Sequence, residues 1–198
     1  MDKRIRIYMT GVGGQGTLTA TTLLARAALF AGVDVVAGEV HGMAQRGGVV
    51  ESVVLLGGWK APKLDYGEAD VILGFEPLET LRGLPYLRAG GAVFSSADAL
   101  PPVSVSTGKA AYPSMEEIQS KVRAVAGKSW FLHCRELGIA AGSIQSGNSA
   151  LLGALCASGI MPFDEETLEE AMRRFMPAKL VEVNIKAMRA GAEGVRKA

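Results

Sequence analysis

A three-layer α/β fold with a mixed, mostly parallel sheet and a helical C-terminal part is predicted by three features of the sequence. An apolar segment, Ile5 to Met9, runs into a glycine loop and then a helical stretch. Short apolar runs separated by turns and helices follow as far as Leu132. From Cys134 onward the pattern is helical almost throughout. Strands and helices alternating in this way pack as helices on both faces of one sheet. The 198 residues suffice for one domain with a proper core, and residues 1–198 are read as a single domain.

The first strand is expected from Arg4 to Met9, followed by the loop Gly11-Val12-Gly13-Gly14-Gln15-Gly16. Without Cβ atoms such a loop turns sharply and lets a ligand come close. The helix that follows, Thr17 to Ala31, offers free N–H groups and the positive end of its dipole, which suit an anion and phosphate above all. It carries Leu18, Leu23, Leu24, Ala27, Ala28 and Phe30 with Arg26 as its one charge, which predicts burial on nearly all sides. Gly32 is its expected stop. A second strand is read over Val33 to Gly38. Glycines at 11, 13 and 16 between strand and helix spell the dinucleotide fingerprint, so the chain is Rossmann-like at its start, and Glu39 lies where a ribose-binding acid belongs. The alternative is a tight turn that binds nothing.

Val49 to Leu56 is the third strand, apolar enough to be covered on both faces. A parallel crossover needs a dozen or more residues. Glu39 to Gly48 is too short and glycine-rich for one, so this strand is expected to be antiparallel or offset. Ala69 to Phe75 is a fourth strand and Pro77 to Leu87 a short helix broken at Gly83 and Pro85. Gly91 to Ser95 is a fifth strand, Val103 to Ser106 a short edge strand, and Ser129 to Leu132 a sixth strand. Ser114 should cap a helix to Ala126, and Asp164 one to Phe175. Further helices are expected over Cys134 to Ala141, Asn148 to Ser158 and Leu180 to Arg189, with fraying from Gly191.

Chemistry concentrates in two loops. Gly11, Gly13, Gly14, Gln15, Gly16 and Thr17 form the first set of candidate binding residues. Gln15 and Thr17 flank the helix start, and either can cap the helix or bond a ligand; capping is the safer reading for Thr17. The second loop runs His41-Gly42-Met43-Ala44-Gln45-Arg46-Gly47-Gly48, and Gln45, Arg46, Gly47 and Gly48 complete the binding set. Arg46 can hold a carboxylate or phosphate in a fork, or pair with Glu39 or Glu51 within the protein. His41 titrates near neutrality or simply bonds backbone. His41 and Arg46 are the candidate catalytic residues. His133 beside Cys134 suggests a nucleophile and base, but adjacent side chains on a strand point apart, so both are read as structural. Gly147-Asn148 is read as a plain helix cap rather than a second anion site.

Composition narrows the class. A formal charge of +1 with no polybasic run does not point to nucleic acid or an anionic membrane. Mean hydropathy is +0.22, which suggests faces covered by other subunits or by further copies. Two cysteines, Cys134 and Cys156, cannot supply an iron–sulfur cluster or a zinc motif, so no metal site is expected. No apolar run spans a bilayer, and the charged start passes too quickly into glycines for a signal peptide; a soluble, cytoplasmic protein is expected. The magnesium-holding pattern of thiamine enzymes, Gly-Asp-Gly followed by paired asparagines, is absent.

Taken together, Val12 to Gly16, the helix after it and Glu39-Val-His-Gly-Met-Ala-Gln-Arg-Gly-Gly48 resemble the gamma component of 2-oxoacid:ferredoxin oxidoreductases, the pyruvate/ketoisovalerate oxidoreductase family. The likeness is strongest to the beta subunits of its indolepyruvate branch. It extends through the third strand, Ala69 to Val71, Asn148 to Gly153 and Glu182 to Asn184, and so covers most of the chain. The resemblance implies an enzyme that oxidatively decarboxylates a 2-oxoacid such as indolepyruvate to an acyl-coenzyme A and passes electrons to ferredoxin. It further implies that thiamine diphosphate, magnesium and iron–sulfur clusters sit on a partner subunit. This chain would bind none of them tightly, would be inactive alone, and would shape the substrate and coenzyme A side of the site. The alternatives are a stand-alone NAD- or FAD-binding protein and a non-catalytic assembly subunit.

Overall fold

The computed structural model describes residues 3–41 and 48–197. It contains a six-stranded sheet built from β1 (Ile5–Val12), β2 (Val35–His41), β3 (Val49–Leu56), β4 (Ala69–Gly74), β5 (Leu87–Ser96) and β6 (Lys128–Leu132). Their order across the sheet is β2-β3-β1-β4-β5-β6. β3 pairs antiparallel with both β1 and β2, whereas β1, β4, β5 and β6 pair in parallel, so five strands share one direction and β3 opposes them. The mixed, mostly parallel sheet and the reversed third strand are as the sequence predicts.

The helices are α1 (Thr17–Phe30), α2 (Pro77–Gly83), α3 (Val103–Ser106), α4 (Met115–Val125), α5 (Cys134–Ala141), α6 (Asn148–Ala157), α7 (Glu165–Phe175) and α8 (Ala178–Arg196). Alternation along β1 sorts them into two layers. Ile5, Ile7 and Met9 face one core, filled by Leu24 of α1, Leu151 and Leu155 of α6, Met172 of α7 and Met188 of α8. Tyr8 faces the other with Ile72 and Val93, against Ile118 and Val122 of α4. No helix among the described residues is long and apolar enough to cross a membrane.

Several expectations are corrected. β2 does not end at Gly38 but continues through His41, because Glu39, Val40 and His41 pair with Ser52, Glu51 and Val50. Val103 to Ser106 is a helical turn rather than an edge strand: the Pro102 carbonyl accepts from the N–H groups of Val105 and Ser106, and paired prolines suit a helix start. α1 is not buried all round; seven of its 14 residues are, while Leu18, Leu29 and Phe30 face outward. α8 runs to Arg196 instead of fraying at Gly191, because α6 and α8 touch backbone to backbone. A Cβ on Gly153 would overlap the Met188 carbonyl, and one on Gly191 the Ala150 carbonyl. The other expected elements are present, with Gly32 (φ +71°) closing α1, and Ser114 and Asp164 accepting from Glu117 N and Thr167 N at 3.1 and 2.9 Å.

The helix contact yields a test. Gly153→Ala must push α6 and α8 apart and should cost about 1–3 kcal/mol, the usual range for overpacking. Chemical denaturation of the two proteins measures it.

Candidate functional site

The carboxyl ends of five strands and the start of β3 meet at one pole of the sheet. From β1 the chain turns through α1 toward β2; from β4 it turns through α2 toward β5, on the other side. Between these diverging connections lies the topological switch point at which open α/β sheets form ligand crevices. The glycine loop sits there. Gly14 and Gly16 adopt φ of +97° and +83°, a left-handed backbone that suits glycine.

Gln15 is the hub of the loop. Its Oε1 accepts from Val12 N (2.8 Å) and its Nε2 donates to the Phe75 carbonyl (3.2 Å) at the end of β4. Its own carbonyl accepts from Asn148 Nδ2 at the head of α6. The side chain therefore braces the fold, and the residue also lines the adjoining cavity. Thr17 does not cap α1: Gly16 is the N-cap without a side-chain bond, and the Thr17 hydroxyl is buried with no partner. Asn148 is likewise no cap; it reaches across to Gln15.

Beside this brace lies a cavity of about 480 Å³, lined by Gly14, Gln15, Gly16, Thr19, Ser96, Asp98, Cys134, Arg135, Asn148, Met176, Leu180 and Asn184 among others. The N-termini of α2, α4 and α7 are filled by Glu76, Ser114 and Asp164. At the cavity, Asp98 Oδ2 occupies the start of α5, accepting from Arg135 N at 2.6 Å. α1, α6 and α8 carry neither a capping side chain nor an acid in the first turn. They leave the cavity with three unneutralised dipole ends, a setting that favours an anion.

The far wall is set by a buried carboxylate that sequence reasoning missed. Glu76 accepts from Glu79 N (2.9 Å), from Leu100 N (3.1 Å) and from the Tyr112 hydroxyl, fixing the turn from Phe75 to α2 and the segment carrying Asp98 to Leu100. Burial first, and then the Glu76 carboxylate, hold the Tyr112 hydroxyl above its ordinary range. Glu79, on the next turn, is buried with Oε1 on Arg82 at 2.7 Å and Oε2 without a partner. Burial raises its acid above the usual carboxylate range. Asp98 and Glu76 had no local signal beyond being acids near turns.

The other site expectations divide. The stems of the two loops are joined: Gly13 N donates to the Gly48 carbonyl at 2.8 Å, and Val12 pairs with Val49. His41 ends β2 opposite Val50. Gln45, Arg46 and Gly47 lie outside the described residues. Glu39 is misplaced for a ribose. In the dinucleotide fold the second strand neighbours the first, but here β3 intervenes, leaving Glu39 two strand spacings, about 10 Å, from β1. His133 is exposed and Cys134 buried, so they form no dyad. The Cys134 thiol is pushed up to about 12 by burial, and burial likewise raises Cys156. Among the described residues no three His, Cys, Asp or Glu side chains converge as a metal site.

A strand–glycine loop–helix unit beside a carboxyl-end crevice defines an α/β protein with an open-sheet crevice. Residues 6–194 match the family described as pyruvate ferredoxin/flavodoxin oxidoreductase. The indolepyruvate oxidoreductase subunit IorB of Pyrococcus horikoshii is 45% identical over 199 residues, covering 98% of this chain and 97% of the relative. Pyruvate oxidoreductase subunit PORC of Thermotoga maritima has the same fold, with a TM-score of 0.73 at 22% identity and 97% of each chain covered. So has a 2-oxoglutarate:ferredoxin oxidoreductase of Magnetococcus marinus, solved with 2-oxoglutarate, coenzyme A and succinyl-CoA; its TM-score is 0.72 at 19% identity, over 100% of this chain and 32% of the other. The chain belongs to the pyruvate ferredoxin/flavodoxin oxidoreductase family, as a gamma-type subunit of a 2-oxoacid:ferredoxin oxidoreductase.

Two outcomes are expected. Gln15→Ala strands Val12 N and the Phe75 carbonyl and should cost about 2 kcal/mol in urea unfolding. Glu79 has a folded pKa above its unfolded one, so its contribution is present below the unfolded value near 4.3 and is lost as pH rises through the folded value. Glu79→Gln should therefore melt above the wild type at pH 8, with the gap closing toward pH 4.

Proposed function

We propose that this chain is the subunit that shapes the substrate and coenzyme A side of an enzyme oxidatively decarboxylating a 2-oxoacid such as indolepyruvate. One observation carries the reading: the stems of both glycine loops are tied together by Gly13 and Gly48 beside a cavity with three uncapped helix N-termini. The chain's own donors do not suit the redox groups, since its two cysteines are buried thiols and lie on different helices. Thiamine diphosphate, magnesium and iron–sulfur clusters are accordingly assigned to a partner subunit, which also hands electrons to ferredoxin. The chain alone is inactive, and its setting is the cytoplasm.

The residues fit a phosphorylated acyl carrier. The N–H groups of Gly14 and Gly16 and the starts of α1 and α6 hold negative charge, and the apolar walls formed by Leu23, Met176 and Leu180 exclude water from an adjoining thioester arm. Arg46 forks a phosphate or the oxoacid carboxylate, with Gln45, Gly47 and Gly48 shaping its loop and His41 at its root. The coenzyme A bound to the Magnetococcus enzyme supports the choice of carrier, and the Pyrococcus relative, named for indolepyruvate, supports the choice of oxoacid. The separation of Glu39 from β1 weighs against a stand-alone nicotinamide or flavin protein.

Arg46→Ala, in a complex reconstituted with the thiamine-carrying subunit, should raise KM for coenzyme A or the oxoacid about tenfold or more, the loss of one charge-assisted contact, with the melting temperature unchanged. Unchanged kinetics would remove Arg46 from the site and favour a purely assembling role.

A further inference from the structure

Among the described residues that line the cavity, two are charged, Asp98 and Arg135. The exposed arginine suits an anion, as do the uncapped starts of α1, α6 and α8. Asp98 works against one, because a carboxylate repels an anion, and more strongly where little water screens the pair. The start of α5 does not account for the charge. A neutral side-chain oxygen satisfies a helix N–H as well, and Glu136 already supplies an acid to the first turn of that helix.

Asp98 is also held in place. Its Oδ2 accepts from Arg135 N at 2.6 Å and from the Ser96 hydroxyl at 3.2 Å, and its own N–H donates to Ser96 Oγ at 3.1 Å. Two residues on, Leu100 N donates to Glu76 Oε1 at 3.1 Å, and the same oxygen accepts from the Tyr112 hydroxyl. Leu78 N donates in turn to the Tyr112 oxygen at 3.3 Å. The strap between β5 and α4, residues 97–114, is thus pinned at Leu100 and at Tyr112 to one buried carboxylate. No group among the described residues donates to Asp98 Oδ1, which leaves that oxygen to the cavity.

We infer that Asp98 is a specificity-determining residue: Oδ1 accepts a neutral N–H or O–H donor of the ligand, while the charge turns away a second anionic group. The inference rests on the proposed reading of the cavity as the seat of a phosphorylated carrier, and it narrows that reading. The ligand is anionic at the helix ends and uncharged but donor-bearing at Asp98. A carrier with amide or amino groups meets both conditions, whereas a bare polyphosphate meets only the first. Glu76 and Tyr112 do not line the cavity. They act through the strap, as positioning residues.

The test uses the complex reconstituted with the thiamine-carrying subunit and saturated with thiamine diphosphate. Asp98→Asn keeps an oxygen for Arg135 N and turns an NH2 group to the ligand, donor against donor. It should raise KM for coenzyme A about tenfold, the loss of one bond to a charged acceptor. It should lower the inhibition constant of inorganic pyrophosphate, competing with coenzyme A, about threefold or more as the repulsion is removed. Damage to the fold would weaken both ligands; only a charge that reads the ligand moves them in opposite directions. Tyr112→Phe loosens the strap and leaves every charge in place, so it should raise KM for coenzyme A without tightening pyrophosphate. Asp98→Asn shifting both constants in the same direction, or neither, overturns the inference. So does Tyr112→Phe that tightens pyrophosphate or leaves KM unchanged. Pyrophosphate that fails to compete with coenzyme A in the wild type instead sinks the anion cavity of the proposed function, and the inference with it.

Discussion

The side chain of Gln15 is the constraint on which the crevice depends. A glycine loop is easy to bend and equally easy to unbend, since each glycine loses more backbone freedom on folding than any other residue. Something must hold it. Here one amide bonds the end of β1 through its oxygen and the end of β4 through its nitrogen, while the backbone of the same residue receives Asn148 from α6. Three elements remote in sequence meet on one residue, and the loop is fixed without a ligand. The same amide lines the cavity it shapes.

The reversed strand determines what else reaches that space. Had β2 paired with β1 directly, Glu39 would flank the glycine loop and the site would suit a ribose. Inserting β3 moves Glu39 outward and puts the root of the second loop, at Val49 and Gly48, against the first. The same strand inventory thus yields a different chemistry through pairing order alone. On the other flank Glu76 works as Gln15 does, binding two backbone N–H groups and a hydroxyl so that Asp98 can fill the start of α5. The positive helix ends left at the cavity are those of α1, α6 and α8.

Much of this was legible in the sequence, for physical reasons. Strand–glycine–helix order and the shortness of Glu39 to Gly48 foretold the first layer and the reversal of β3, because chain length limits how strands can cross. Capping by Ser114 and Asp164 was visible because it is decided within four residues. What could not be read was decided across the fold. The amide of Gln15 has equal claim to a ligand or to backbone until β4 is seen beside it. Asn148 looks like a cap until Gln15 comes within reach. Gly191 looks like a fraying end until α6 lies against it. The exposure of α1 was hidden because an apolar helix reads the same whether its outer face is covered by its own chain or by another.

The span between Gln15 and Asn148 also bears on how the protein is made. The two residues are 133 positions apart, which at the pace of ribosomal synthesis, about 5–20 residues per second, is an interval of roughly 7 to 27 s. Throughout it Ile5, Ile7 and Met9 have emerged while the helices that cover them, α6 to α8, have not. The earliest strand of the nascent chain thus waits for the latest helices before its surroundings are complete.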